Sequence, residues 1–189
     1  MIIGIPKEIM QGEARVAATP ETVKRFTKDG MTVLVEAGAG IKSHYYDDEY
    51  TGAGAKLIAD PSELFRAADL ILKVKEPLYN AKMGKHEVEM MHRGQYLITF
   101  IHPASPVNHA MVRQLAEAGV TSLTLDGIPR ISRAQSMDAL TSMSTCAGYK
   151  GMIMAADDLS FFMPQMFTAV GMLKPANVLV IGAGVAGLQ

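Results

Sequence analysis

Cysteine is nearly missing from this chain, tryptophan is missing altogether, and neither sign of charge dominates. The single cysteine, Cys146, excludes an internal disulfide framework and any cysteine-only zinc site, and fits a reducing compartment. A formal net charge of −1 supplies no basic field to attract nucleic acid or acidic lipid, so no nucleic-acid partner is expected. Long hydrophobic runs are also missing. The most apolar segment, FFMPQMFTAVGML at 161–173, is interrupted by Pro164 and falls short of the roughly 18 to 20 apolar residues that span a bilayer. The N-terminal MIIGIPKEIMQGEARV lacks the apolar stretch behind a basic start that a secretory signal requires. His44, His86, His92 and His109 have no metal-ligand spacing, so no metal is expected, and the 14 methionines read as flexible core filler.

What remains is the composition of a globular protein, 49% hydrophobic and 20% charged, in which strand-like and helical patterns alternate. Strands are expected at 2–6, 32–37, 70–75, 96–101, 121–126 and 177–181. Helices are expected at 20–29, where Thr19 caps and Pro20 opens the first turn, at 61–68 after Asp60, at 80–92 and at 106–118. Gly30, Gly94 and Gly119 stand between helix and strand as C-terminal caps do. Repeated β-α units predict an α/β fold with a doubly wound parallel sheet. Residues 1–126 form the first domain, with five strands, and 127–159 a loop and a long connecting helix. On that helix Leu140, Met143, Ala147, Met154 and Leu159 offer an apolar stripe, Cys146 reads as a small core residue, and Tyr149 and Lys150 are expected to pack. Residues 160–189 open a second, truncated domain.

That second domain begins with NVLVIGAGVAGLQ at 177–189. Gly182, Gly184 and Gly187 are spaced G-x-G-x-x-G behind a buried-strand pattern. Gly182 permits the turn from strand to helix, Gly184 lets the backbone approach a pyrophosphate, and Gly187 lets the helix pack on the sheet, with Val185 and Ala186 between them. The anion would be held by unpaired N–H groups at the helix start. The acidic residue expected about 20 positions later to hold ribose hydroxyls is not reached, so the chain reads as the front part of a longer protein.

PRISRAQSMDAL, followed by AGYKGMIMAA and KPANVLVIGAGVAGLQ, resembles the NAD(H)-binding alpha-subunit domain of proton-translocating NAD(P) transhydrogenases. IPKEIMQGEARVAATPETV, VEAGAG and KVKEP are shared between that family and the related alanine dehydrogenases. The resemblance implies a Rossmann-like first domain, the start of a Rossmann NAD-binding domain at 160–189, and hydride transfer from NADH to NADP⁺ bound on a partner domain or subunit. It implies a homodimer docked on the cytoplasmic side of a bacterial inner-membrane complex that contains a beta subunit and moves protons. By the same resemblance Arg130, Gln135 and Asp138 contact the nicotinamide end of the nucleotide, with Gln135 reaching towards the partner's NADP ribose. From spacing alone, Asp138 equally caps the following helix and Arg130 and Arg133 are solvated charges. The fragment alone is expected to bind NADH poorly and to be inactive; one alternative to the transhydrogenase reading is a non-catalytic, truncated binding module.

The alanine dehydrogenase reading needs a cationic clamp for a carboxylate and a group that moves protons. Arg15, Lys75 and His102 match the positions that serve those purposes in that family. Their bland alternatives are a shared segment that discriminates nothing for Arg15, a snorkelling side chain for Lys75, and a hydrogen-bonded structural histidine for His102.

Overall fold

The computed structural model describes residues 1–189. It divides into two compact units, Met1–Gly127 and Ile128–Gln189.

The first unit is a six-stranded, all-parallel sheet flanked by helices. Its strands are β1 (Ile2–Ile5), β2 (Thr32–Glu36), β3 (Lys56–Ile58), β4 (Leu70–Leu72), β7 (Tyr96–Thr99) and β8 (Thr121–Thr124). Their order across the sheet is β3-β2-β1-β4-β7-β8, with every pairing parallel. Counted along the chain this is 3-2-1-4-5-6, the doubly wound order whose direction reverses between β1 and β4. The helices are α1 (Pro20–Lys28), α2 (Asp47–Gly52), α3 (Pro61–Ala67), α4 (Glu87–Met90) and α5 (His109–Ala118). Thr19 caps α1 by accepting from Thr22 N, and Asp60 caps α3 by accepting from Ser62 N.

Alternation along the strands feeds two cores, one on each face. Ile3, Ile5, Val33 and Val35 join Val23 and Tyr50 on one side; Leu34, Ile71 and Leu97 join Leu64, Phe65 and Leu115 on the other. Each such side chain contributes about 1.5–3 kcal/mol by leaving water. Gly4 is where β1 meets α3 most closely. A Cβ there would lie 2.9 Å from Ala68 Cβ, Ile71 Cδ1 and Leu64 Cδ2, so only glycine fits without displacement.

Two expectations for this unit are corrected. The helix expected at 80–92 is instead the antiparallel hairpin β5 (Tyr79–Asn80) and β6 (Lys85–His86) followed by the single turn of α4. Asn80 Oδ1 accepts from Lys82 N and Met83 N, and Gly84 takes φ +66°, so turn chemistry overrides helical periodicity. Asn80 and Glu87 are both buried, which a solvent-facing helix would not permit. The sheet holds six strands, the sixth being the short β3, and α2 precedes it.

The second unit contains a six-residue 3₁₀ turn at Ser132–Met137, the long helix α6 (Ala139–Asp158), the hairpin β9 (Met166–Thr168) and β10 (Gly171–Leu173), and α7 (Val185–Leu188). The strand expected at 177–181 makes no ladder, because no neighbouring strand in this unit offers it partners. The apolar stripe expected along α6 is not buried: Met154 is 55% exposed, and Cys146 and Tyr149 are exposed too. The tight contact of α6 is instead with α7, where a Cβ on Gly148 would lie 2.2 Å from Ala186 O. No helix is long and apolar enough to cross a membrane.

Candidate functional site

In doubly wound sheets ligands gather outside the carboxyl ends of the strands where the order reverses. Here those ends are occupied by charge. Lys73, just past β4, is fully buried, with Nζ 3.0 Å from Glu87 Oε1 and 3.4 Å from Glu8 Oε2. Burial alone would push its pKa down; the Glu87 and Glu8 carboxylates outweigh that and hold it above the ordinary lysine value. Glu8, just past β1, also accepts from Val74 N at 2.6 Å, and Glu87 accepts from Leu78 N at 2.9 Å. Burial raises the pKa of Glu8 against the opposing pull of Lys73 and Val74 N. The triad therefore fixes 73–78 across the reversal point. Sequence reasoning missed Lys73 and Glu8; the available signal was a lysine closing an apolar strand, LILK, with an acidic residue just after β1.

The three residues singled out for amino-acid chemistry lie in the segments that follow β1, β4 and β7. Arg15 grips Glu13 through two nitrogens, Nε at 2.8 Å from Oε1 and Nη2 at 2.6 Å from Oε2. Hydrogen bonds from Arg15 hold the Glu13 carboxyl down to about 2, and Lys75 adds to that pull, which places Lys75 in the same electrostatic neighbourhood. A substrate carboxylate drawn to Arg15 would compete with Glu13. The main-chain oxygen of Lys75 accepts from Thr99 Oγ1 at 2.8 Å, tying it to β7.

His102 is the most constrained of the three. Its φ of 48° lies in the left-handed region that non-glycine residues seldom adopt. Asp126 explains how it is held: Oδ2 accepts from His102 N at 2.8 Å and Ile101 N at 3.0 Å, while Oδ1 lies 2.7 Å from His102 Nδ1. Burial raises the pKa of Asp126, but bonds from Thr124, His102 and Ile101 and the nearby imidazole outweigh it and lower the net value. Phe100 stacks on the imidazole with centroids 5.7 Å apart. Nε2 lies 4.0 Å from Glu76 Oε2, a buried oxygen without a hydrogen-bond partner. A ring oriented through Nδ1 with its other nitrogen beside a carboxylate can take up and release a proton.

In the second unit, Arg130 and Gln135 are exposed and Asp138 is covered. Asp138 caps α6, accepting from Thr141 N at 3.0 Å and Thr141 Oγ1 at 2.6 Å. Those bonds, aided by the charge of Arg130, lower its pKa. Asp138 thus performs the cap that spacing suggested while standing within the electrostatic reach of Arg130.

The glycine-rich turn separates the roles of its glycines. Gly182 adopts φ +111°, and a Cβ on Gly187 would lie 2.0 Å from Gly182 O, so both positions need glycine. A Cβ on Gly184 would meet nothing within 4 Å, which leaves space at the N-cap of α7 for an incoming group. No cluster of three or more His, Cys, Asp and Glu residues could hold a metal ion.

Strand order, reversal point and glycine-rich turn define a Rossmann-like α/β protein. The chain belongs to the alanine dehydrogenase/PNT family: residues 4–147 match the family's N-terminal domain and residues 151–189 its C-terminal domain. It is 44% identical over 188 residues to an NAD(P) transhydrogenase subunit alpha from Cereibacter sphaeroides, covering 100% of this chain and 34% of that subunit. A solved transhydrogenase from Sinorhizobium meliloti is 39% identical with a TM-score of 0.89, covering 100% of this chain and 54% of the other. A solved L-alanine dehydrogenase is 29% identical with a TM-score of 0.84, covering 100% and 50%. The chain thus spans about half or less of the length of these relatives.

Proposed function

We propose that this chain is the front portion of the NAD(H)-binding component of a proton-translocating NAD(P) transhydrogenase. The observation that carries the reading is the 130–138 loop, in which Arg130 and Gln135 stay exposed beside an Asp138 locked by the start of α6. Higher identity to the solved transhydrogenase, 39%, than to the solved alanine dehydrogenase, 29%, supports it. Nicotinamide supplies the hydride chemistry when the nucleotide is bound. Direct transfer between two such rings needs no general acid or base; it needs reacting atoms about 3 to 3.5 Å apart and water kept out.

The residues of this chain therefore serve as positioners. Arg130 presents a planar fork to the carboxamide or pyrophosphate. Asp138 steadies that arginine and accepts from the carboxamide nitrogen. Gln135, with a donor and an acceptor, reaches towards the NADP(H) ribose held by the partner domain or subunit. Gly182, Gly184, Val185, Ala186 and Gly187 form the turn that receives the pyrophosphate, the room at Gly184 being the local fit. In this reading the component is a homodimer, peripheral to a membrane complex in which proton movement is coupled to the transfer.

A second reading, NAD-dependent alanine dehydrogenase, is favoured by the His102–Asp126 pair, since oriented proton transfer is superfluous to direct hydride exchange. The full-length polypeptide, assayed with an NADP-binding partner domain for NADH-dependent reduction of an NADP analogue, separates the two. Gln135→Asn is expected to lose on the order of 10²-fold in rate, the scale of a misplaced reactant, while His102→Ala stays close to wild type. Alanine-dependent NAD⁺ reduction abolished by His102→Ala would overturn the transhydrogenase reading.

A further inference from the structure

A cavity of about 610 Å³ opens at the carboxyl ends of β1, β2 and β3, and Arg15, Lys75 and His102 do not line it. Lys7 and Glu8 line it from the end of β1, Glu36 and Ala37 from the end of β2, Ala59 and Pro61 from the turn after β3, and the β5–β6 hairpin faces them. Its size lies within the roughly 300–1,000 Å³ of small-molecule sites. From these features we propose that the cavity binds a nucleoside monophosphate, with Glu36 accepting the ribose hydroxyls.

Glu36 is the last residue of β2, the strand beside β1. In doubly wound folds an acidic residue downstream of the first turn takes the ribose hydroxyls, and the ligand lies across the strand ends. The carboxylate of Glu36 is already oriented, with Oε2 accepting from Lys7 N at 2.8 Å. Partial burial pushes its pKa up against that bond and the Lys7 charge, so it is a poorly hydrated acceptor that gains from a hydroxyl donor. Ala37, Ala59, Pro61 and Met83 supply an apolar wall for a planar base.

The same region excludes a dinucleotide. Between β1 and α1 the chain runs PKEIMQGEARVAAT with one glycine, Gly12, so no glycine-rich turn brings backbone N–H groups to a pyrophosphate. Pro20 removes a further donor at the first turn of α1. A single phosphate would instead meet the ammonium groups of Lys7 and Lys82 on the cavity wall. This ligand site does not depend on the transhydrogenase reading.

The test is calorimetric titration of AMP into the full chain carrying Gly184→Val, which blocks the glycine-rich turn of the second unit. Saturable binding that weakens about tenfold or more both in Glu36→Gln, which keeps an acceptor for Lys7 N, and in Ala59→Trp, which fills the cavity from an exposed position, is the expected result. Absence of saturable binding at millimolar AMP, or binding indifferent to both substitutions, would overturn the proposal. Circular dichroism of each variant confirms that the comparison is made between folded proteins, and Ala59→Trp supplies the readout if Glu36→Gln fails to fold.

Discussion

Residues 1–127 and 128–189 both mix helix with strand, yet they hold those elements by different means. Every buried hydrophobic residue except Ala134 belongs to the first unit. In the second, α6 and the β9–β10 hairpin close their backbone hydrogen bonds within short stretches of chain, with no distant strand as partner. A parallel strand has no such option, because its bonds go entirely to neighbours. The two apolar runs IIGI and NVLVI make the contrast plain. The first lies between β2 and β4 and buries Ile3 and Ile5; the second leaves Leu179 at 84% and Ile181 at 92% exposure.

The comparison predicts a steep difference in mutational sensitivity. Lys73→Met should have the largest effect, because it leaves the Glu8 and Glu87 carboxylates buried without their shared cation. A loss of about 3–5 kcal/mol is expected in urea unfolding followed by circular dichroism, and a loss below 1 kcal/mol would mean that the triad is solvated in solution. Next, Leu97→Ala, in the core of the first unit, should lose about 2–5 kcal/mol, whereas the same truncation at Leu179 should stay within about 0.5 kcal/mol. Equal costs at the two leucines would break the comparison. The smallest effect belongs to the part-exposed Glu13–Arg15 pair. The Glu13 carboxyl is lowered from 4.5 to about 2, so its stabilisation is complete above the unfolded value and disappears as pH falls from about 4.5 through 2. Glu13→Gln should therefore narrow its stability gap to wild type on acidification across that window, and a gap independent of pH would show the pair to be inert.

Much of the first unit is legible in the sequence. Five of its sheet strands, and the helices capped by Thr19 and Asp60, follow from apolar alternation and local capping chemistry. What escapes is decided by distant partners or by brevity. The 80–92 segment has helical spacing, but Glu87 is drawn to Lys73 and to Leu78 N, and the chain turns at Asn80 to allow it. β3 offers three residues, of which Lys56 is exposed, too little pattern to register. Of the candidate site residues, the reason for Asp138 as a cap was visible in its place before a helix. The orientation of His102 by Asp126 was not, since 24 residues separate them and only the pairing of β7 with β8 brings them together.

The central position of β1 also bears on how the chain reaches its native state. β1 pairs on one side with β2, about a helix away, but on the other Ile3 meets Leu70. β1 thus keeps one open edge until β4 emerges, and an unpaired strand edge invites association with other chains. Gly4, lying in β1 and packed against α3, ties closure of that edge to arrival of the helix just before β4. Among the pairings of this sheet, β1 onto β4 closes the longest stretch of chain, from Ile3 to Leu70, and so carries the largest closure entropy.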